Sequence, residues 1–116
     1  MTRTIQTALN AFPSILELPR KVPVQVWPDL REAHDAICNK GISRAGLAER
    51  FPQFDFTECS EHWDYPAHAV EAATSRAERV RARLEKLSST HRNIVVISHR
   101  GFIAFLVHGS QFDVCE

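Results

Sequence analysis

The sequence predicts an α/β domain with a mostly parallel sheet, and three observations carry that prediction. An uninterrupted β-branched run, Ile94-Val95-Val96-Ile97, stands between two helical patterns. Such a run is the mark of a strand covered on both faces by helices. Before it, Val70, Ala73, Ala77, Val80, Leu84 and Leu87 recur at spacings of 3 and 4, which draws one apolar stripe along a helix over residues 69–87. Nearer the N-terminus, Val22, Val24 and Val26 alternate with other residues as in a short strand, and Pro23 makes it an edge strand.

The other elements follow in order. Ile5, Leu9 and Phe12 share one face of a helix that begins at Thr2 and is stopped by Pro13. Prolines 13, 19, 23 and 28 punctuate the next stretch, and residues 30–41 read as a polar loop. Ser43 is placed to cap a short helix carrying Leu47 and Phe51 and ended by Pro52. After the long helix and the β-branched run comes His99-Arg100-Gly101, and a last helix starts at Phe102. Residues 112–115 offer one more candidate strand. One buried strand, one edge strand and this candidate are few for such a sheet, so the expectation is an incomplete domain whose front part is missing.

Length and charge bound the function. The 116 residues allow one domain, residues 1–116, and 14 Lys+Arg balance 14 Asp+Glu. Without a basic field, nucleic acid and anionic membrane are not expected partners. The longest apolar stretch, residues 101–107, is far shorter than the roughly 20 residues of a spanning helix. The N-terminus carries no apolar signal core, and Cys38, Cys59 and Cys115 form no evident disulfide framework. A reducing, cytoplasmic setting is the expectation.

Five constellations could carry chemistry. His99 stands at the carboxyl end of the buried run, where α/β proteins bind ligands against the next helix's free N–H groups. With Arg100 and Gly101 beside it, that corner suits an anion such as a phosphoryl group; the alternative is a histidine that only caps the helix or bonds a backbone carbonyl. Arg3 opens the first helix within Arg3-Thr4-Ile5-Gln6-Thr7, where a cation is electrostatically misplaced unless an anion sits there. Otherwise it is a solvated arginine on a frayed end. Glu32, in Leu30-Arg31-Glu32, can act as a general acid if its surroundings favour the protonated form, or it is an ordinary surface carboxylate. His34-x3-Cys38 and Cys59-x2-His62 supply zinc-type ligands in an order that matches no standard site, so no metal is expected there. Arg76, Arg79, Arg81 and Arg83 interleave with Glu71, Glu78 and Glu85, which reads as a solvated helix face laced with salt bridges.

Taken in order, the first three resemble the histidine phosphatase superfamily, the phosphoglycerate-mutase-like enzymes, and the closing Phe112-Asp113-Val114-Cys115-Glu116 resembles its fungal-type members. Arg3-Thr4-Ile5-Gln6-Thr7 is similar to the segment carrying that family's second phosphate-binding arginine. Leu30-Arg31-Glu32 followed by Cys38-Asn39-Lys40-Gly41 is similar to its acidic loop, which implies Glu32 as proton donor. The apolar run ending in His99, with Gly101-Phe102 after it, is similar to the strand carrying its second histidine. Phe51-Pro52, Trp63 and residues 112–116 fit the same pattern. The resemblance implies a three-layer phosphoglycerate-mutase-like fold over the whole chain, truncated at its N-terminus.

Two departures stand out. The family's nucleophile is the histidine of an Arg-His-Gly motif upstream of the Arg3 helix, and no Arg-His-Gly occurs here; His99-Arg100-Gly101 has another order. Arg100 also stands where the family more often has glycine. In intact relatives the resemblance implies phosphomonoester hydrolysis through a phosphohistidine, with Glu32 protonating the leaving oxygen while Arg3 and His99 hold the phosphoryl oxygens. No cofactor and no metal are implied. The expected partner is a phosphorylated small molecule or phosphoprotein. Loss of a nucleophile costs on the order of 10⁶ in comparable enzymes, so the 116-residue chain is expected to be inactive. The alternative is a non-catalytic pseudoenzyme that binds a phospho-ligand or a partner.

Overall fold

Two apolar clusters organise the molecule, each assembled on helices that the residue spacing anticipates. The structure, a computed structural model, describes residues 1–17, 22–33, 40–64 and 70–107.

The first cluster gathers Ile5, Leu47, Phe51, Phe56, Cys59 and Trp63. Ile5 comes from helix α1 (Thr2–Ala11) and Leu47 from helix α2 (Arg44–Arg50). α1 closes at Phe12, whose N–H bonds to the Ala8 carbonyl at 3.0 Å, because Pro13 disfavours a helical residue before it. Phe12 is 41% exposed, so the buried face of α1 is narrower than the spacing suggested. α2 begins as expected: the Ser43 hydroxyl accepts from the Gly46 N–H at 3.1 Å, satisfying one of the helix's orphan donors.

The second cluster forms on helix α3 (Val70–Ser88), where Ala73, Ala77 and Val80 are buried against Trp27, Ala33 and Phe102. The two alanines leave room for helix α4 (Arg100–Leu106) and for the turn of 3₁₀ helix at Pro28–Leu30 to lie close to α3. Phe102 is wholly buried there, and truncating such a ring to alanine costs about 3–5 kcal/mol.

The expected sheet is not present. The described residues form four α-helices and one 3₁₀ turn with no strand, which corrects the α/β reading and its mostly parallel sheet. The reason is pairing. A strand exists only as part of a ladder, and the backbone of residues 94–97 makes no hydrogen bond to any described residue. Val95 is 68% exposed. In residues 22–27 the backbone bonds run to Ile15 and Leu30, within the same part of the chain. Both segments line an apolar cavity of about 730 Å³, together with Ile5, Leu84 and Leu87. Residues 112–115 lie outside the described residues. Among the described residues, no helix is long and apolar enough to cross a membrane.

Candidate functional site

The candidate site begins with the segment bearing Glu32. Pro28 starts the 3₁₀ turn with its preset φ, and the Leu30 and Arg31 N–H groups bond back to the Trp27 and Pro28 carbonyls at 3.1 and 3.2 Å. Past that turn the chain is held from below by α3. The Arg76 guanidinium, 2% exposed, donates to the carbonyls of Asp29 and Arg31, both at 2.9 Å, and of Glu32 at 3.2 Å. The Phe102 ring lies under the same guanidinium, 4.6 Å from its carbon. Burial, followed by the charge of Arg31, pulls the Arg76 pKa down to about 10, which still leaves it a cation at neutral pH. One step outward, Arg79 grips the Asp29 carboxylate with two bonds of 2.9 and 2.8 Å.

His99 reaches the same place from the other side. It is the residue before α4, with extended φ −108° and ψ 146°, and it makes no side-chain cap. It holds the cap position through its backbone, whose carbonyl accepts the Ile103 N–H at 2.9 Å. Its neighbour Ser98 donates to the Leu30 carbonyl at 2.8 Å, which ties the His99 corner to the Glu32 segment. Burial pushes the His99 pKa down to about 4; the positive charges of the Met1 amino group and Arg3 add to this, and Glu32 opposes it. At neutral pH the imidazole is uncharged.

Arg3 lies exposed on the first turn of α1, a turn with no acidic residue, and its charge acts on both His99 and the Met1 amino group. Glu32 acts on the same two groups. Its own carboxylate accepts the Ala33 N–H at 2.7 Å. Three residues separated by as many as 96 positions, Arg3, Glu32 and His99, thus share one electrostatic neighbourhood. Asp64 borders it: its charge is felt by Met1 and Arg31, and its carboxylate accepts the Gly41 N–H at 2.6 Å. A cation, a carboxyl group and a neutral imidazole are the group types that can hold an oxyanion and move a proton.

The remaining predicted residues fall elsewhere. Arg100 is exposed on the first turn of α4. Of the zinc-type residues, Cys59 is buried in the first cluster, which raises its thiol pKa, and His62 is exposed; His34, Cys38 and Cys115 lie outside the described residues. Among the described residues no group of side chains is arranged to hold a metal ion.

The arginine-rich face differs from expectation. Arg76 is buried, Arg79 and Arg83 pair with Asp29 and Glu58, and Arg81 donates to the Phe105 and Leu106 carbonyls at 3.0 and 3.2 Å. These arginines reach across to other segments rather than to glutamates one turn away. The spacing held the signal for Arg76: positions 73, 76, 77 and 80 run i, i+3, i+4, i+7, so Arg76 stands inside the apolar stripe.

Comparison with known proteins gives the family. The model of the histidine phosphatase superfamily, branch 1, matches residues 1–111, and the chain belongs to that superfamily. It is also similar to a protein of Schizosaccharomyces pombe (strain 972 / ATCC 24843) described as a probable phosphatase. The two are 33% identical over 66 residues, which is 57% of this chain and 30% of that protein. The chain therefore matches under a third of that relative's length. No solved structure matches the chain.

Proposed function

We propose that this chain supplies the phosphate-holding and proton-donating part of a phosphomonoester hydrolase. Arg3 and His99 bind the phosphoryl oxygens, and Glu32, as a carboxylic acid, protonates the oxygen of the departing alcohol. The observation that supports the reading is the Ser98–Leu30 bond of 2.8 Å, which ties the His99 corner to the Glu32 segment, with the charges of Arg3 and Glu32 both acting on a His99 imidazole that is neutral at pH 7. A neutral imidazole beside an arginine can donate one hydrogen bond to a phosphoryl oxygen without requiring a counter-charge of its own. The ligand class is a phosphorylated metabolite or phosphoprotein.

The attacking histidine of an Arg-His-Gly motif is not among these 116 residues. The 116-residue chain on its own is therefore expected to bind phosphate without turning it over. Titration of the 116-residue chain with inorganic phosphate, followed by phosphorus NMR, tests this. Saturable binding lost in Arg3→Ala and His99→Ala is expected, together with no release of phosphate from an aryl phosphate. Turnover abolished by His99→Ala would reject the inactive reading, and phosphate binding indifferent to both substitutions would reject the site.

A further inference from the structure

We infer that Arg76 is the positioning residue that sets Glu32 against His99. The inference rests on the reading of Glu32 as the acid, and extends it to a residue that touches neither phosphate nor leaving group. Glu32 sits on a segment with little grip of its own. Past the 3₁₀ turn, no backbone N–H between residues 32 and 33 bonds to a backbone carbonyl among the described residues, and the Ala33 N–H is taken by the Glu32 carboxylate itself. Three of its carbonyls are held by one buried cation. Arg76 collects the carbonyls of Asp29, Arg31 and Glu32 with two of its nitrogens, so these residues must curl around a single guanidinium. A lysine has no such planar fork, and its ammonium cannot reproduce that spread.

The same guanidinium lies on Phe102, three residues beyond His99 on the helix that His99 begins. Arg76 thus touches both parts that must keep register: the segment bearing Glu32 and the helix bearing His99 at its start. The Ser98–Leu30 bond of 2.8 Å is a second tie between the same two pieces. A buried arginine whose partners are main-chain carbonyls gains nothing for solubility and lies inside an apolar stripe, where an apolar side chain would pack without desolvating a charge. Its distinguishing service is geometric. It makes the place of the Glu32 backbone a property of α3, the longest helix among the described residues.

The test is made on the 116-residue chain with Arg76→Lys, Arg76→Met and Glu32→Gln. Amide exchange is read by NMR. In both Arg76 variants exchange at Leu30 and Arg31 is expected to accelerate about tenfold or more, while Leu47 and Phe51 in the other cluster and Leu84 in α3 keep their rates. The imidazole of His99 gives a second signal. Glu32 favours its charged form, so Glu32→Gln lowers the His99 midpoint. Arg76→Lys, which keeps a positive charge, should lower it in the same direction, and the double variant should fall no further than Glu32→Gln alone. Uniform acceleration of all amides, or additive shifts in the double variant, would overturn the positioning role and leave Arg76 as a general prop. Should the Arg76 variants fail to fold, Phe102→Leu leaves Arg76 in place; it should accelerate exchange at Leu30 and Arg31 more than at Leu47, and equal acceleration would overturn the inference. Failure of the wild-type chain to bind inorganic phosphate would remove the acid reading of Glu32 and leave the exchange data to decide the role of Arg76.

Discussion

The guanidinium of Arg83 stacks 3.9 Å from the centre of the Trp27 ring while its two terminal nitrogens grip the Glu58 carboxylate at 2.5 and 2.7 Å. One side chain of α3 thereby joins the segment that leads into the Glu32 turn to the loop below α2. The partly exposed ion pair is worth under about 1 kcal/mol, and the stacking adds about 0.5–2 kcal/mol. Arg83→Ala should therefore lower unfolding stability by about 1–2 kcal/mol, and Glu58→Gln by less. Urea denaturation followed by tryptophan fluorescence compares the two; equal losses would show that the ion pair, not the ring, carries the contact. Arg83 also holds the Glu58 carboxyl below the usual range, so its contribution is present above the ordinary carboxylate pKa and is lost as pH falls through the lowered value.

The half-buried imidazole of His99 makes stability depend on pH. Its pKa is about 4 in the folded chain against 6.5 for an ordinary histidine. Between those values the unfolded chain holds a proton that the folded chain does not. The contribution of a neutral His99 is thus complete above pH 6.5 and is lost progressively as pH falls toward 4. Against wild type, His99→Gln should show a shallower loss of urea midpoint across that window. Parallel curves, or an imidazole resonance titrating near 6.5, would contradict the burial of the ring.

Gly41 is a position where the side chain must be hydrogen. A Cβ there would stand 2.2 and 2.4 Å from the Cζ2 and Cη2 atoms of Trp63. That ring cannot retreat easily, because it is 4% exposed and its Nε1 donates to the Ile42 carbonyl at 3.0 Å. Gly41→Ala should destabilise the chain by about 1–3 kcal/mol through overpacking, with a red shift of tryptophan emission before unfolding. An unchanged denaturation midpoint would mean that the ring and loop separate at little cost.

The helices were legible because each has a local cause. Pro13 ends α1, Ser43 starts α2, and the spacing from Ala73 to Leu87 predicts the buried face of α3. The sheet was not, because a strand has no local cause of equal strength. Residues 94–97 have the composition of a buried strand, yet with no ladder partner among the described residues they form none. In the site, motif order alone named Arg3, Glu32 and His99, and in the structure the charges of Arg3 and Glu32 both act on the His99 imidazole. The arginines of α3 misled in one respect. Alternating charge signals solvation only where a residue lies off the apolar stripe, and Arg76 lies on it.

The seam between the two clusters gives a bound anion a mechanical part to play. Arg3 rides with α1 on the cluster of Ile5 and Leu47, whereas Glu32 and His99 ride with the cluster of Trp27 and Phe102. On the proposed reading, a dianion seated among them would act as a clasp across the two clusters, loading both at once. A ligand held only by the folded state at a hundred times its Kd adds about 2.7 kcal/mol of stability. That gain would be shared by α1 and α3 alike, so occupancy would register as a stiffening of the whole molecule, far from the phosphate itself.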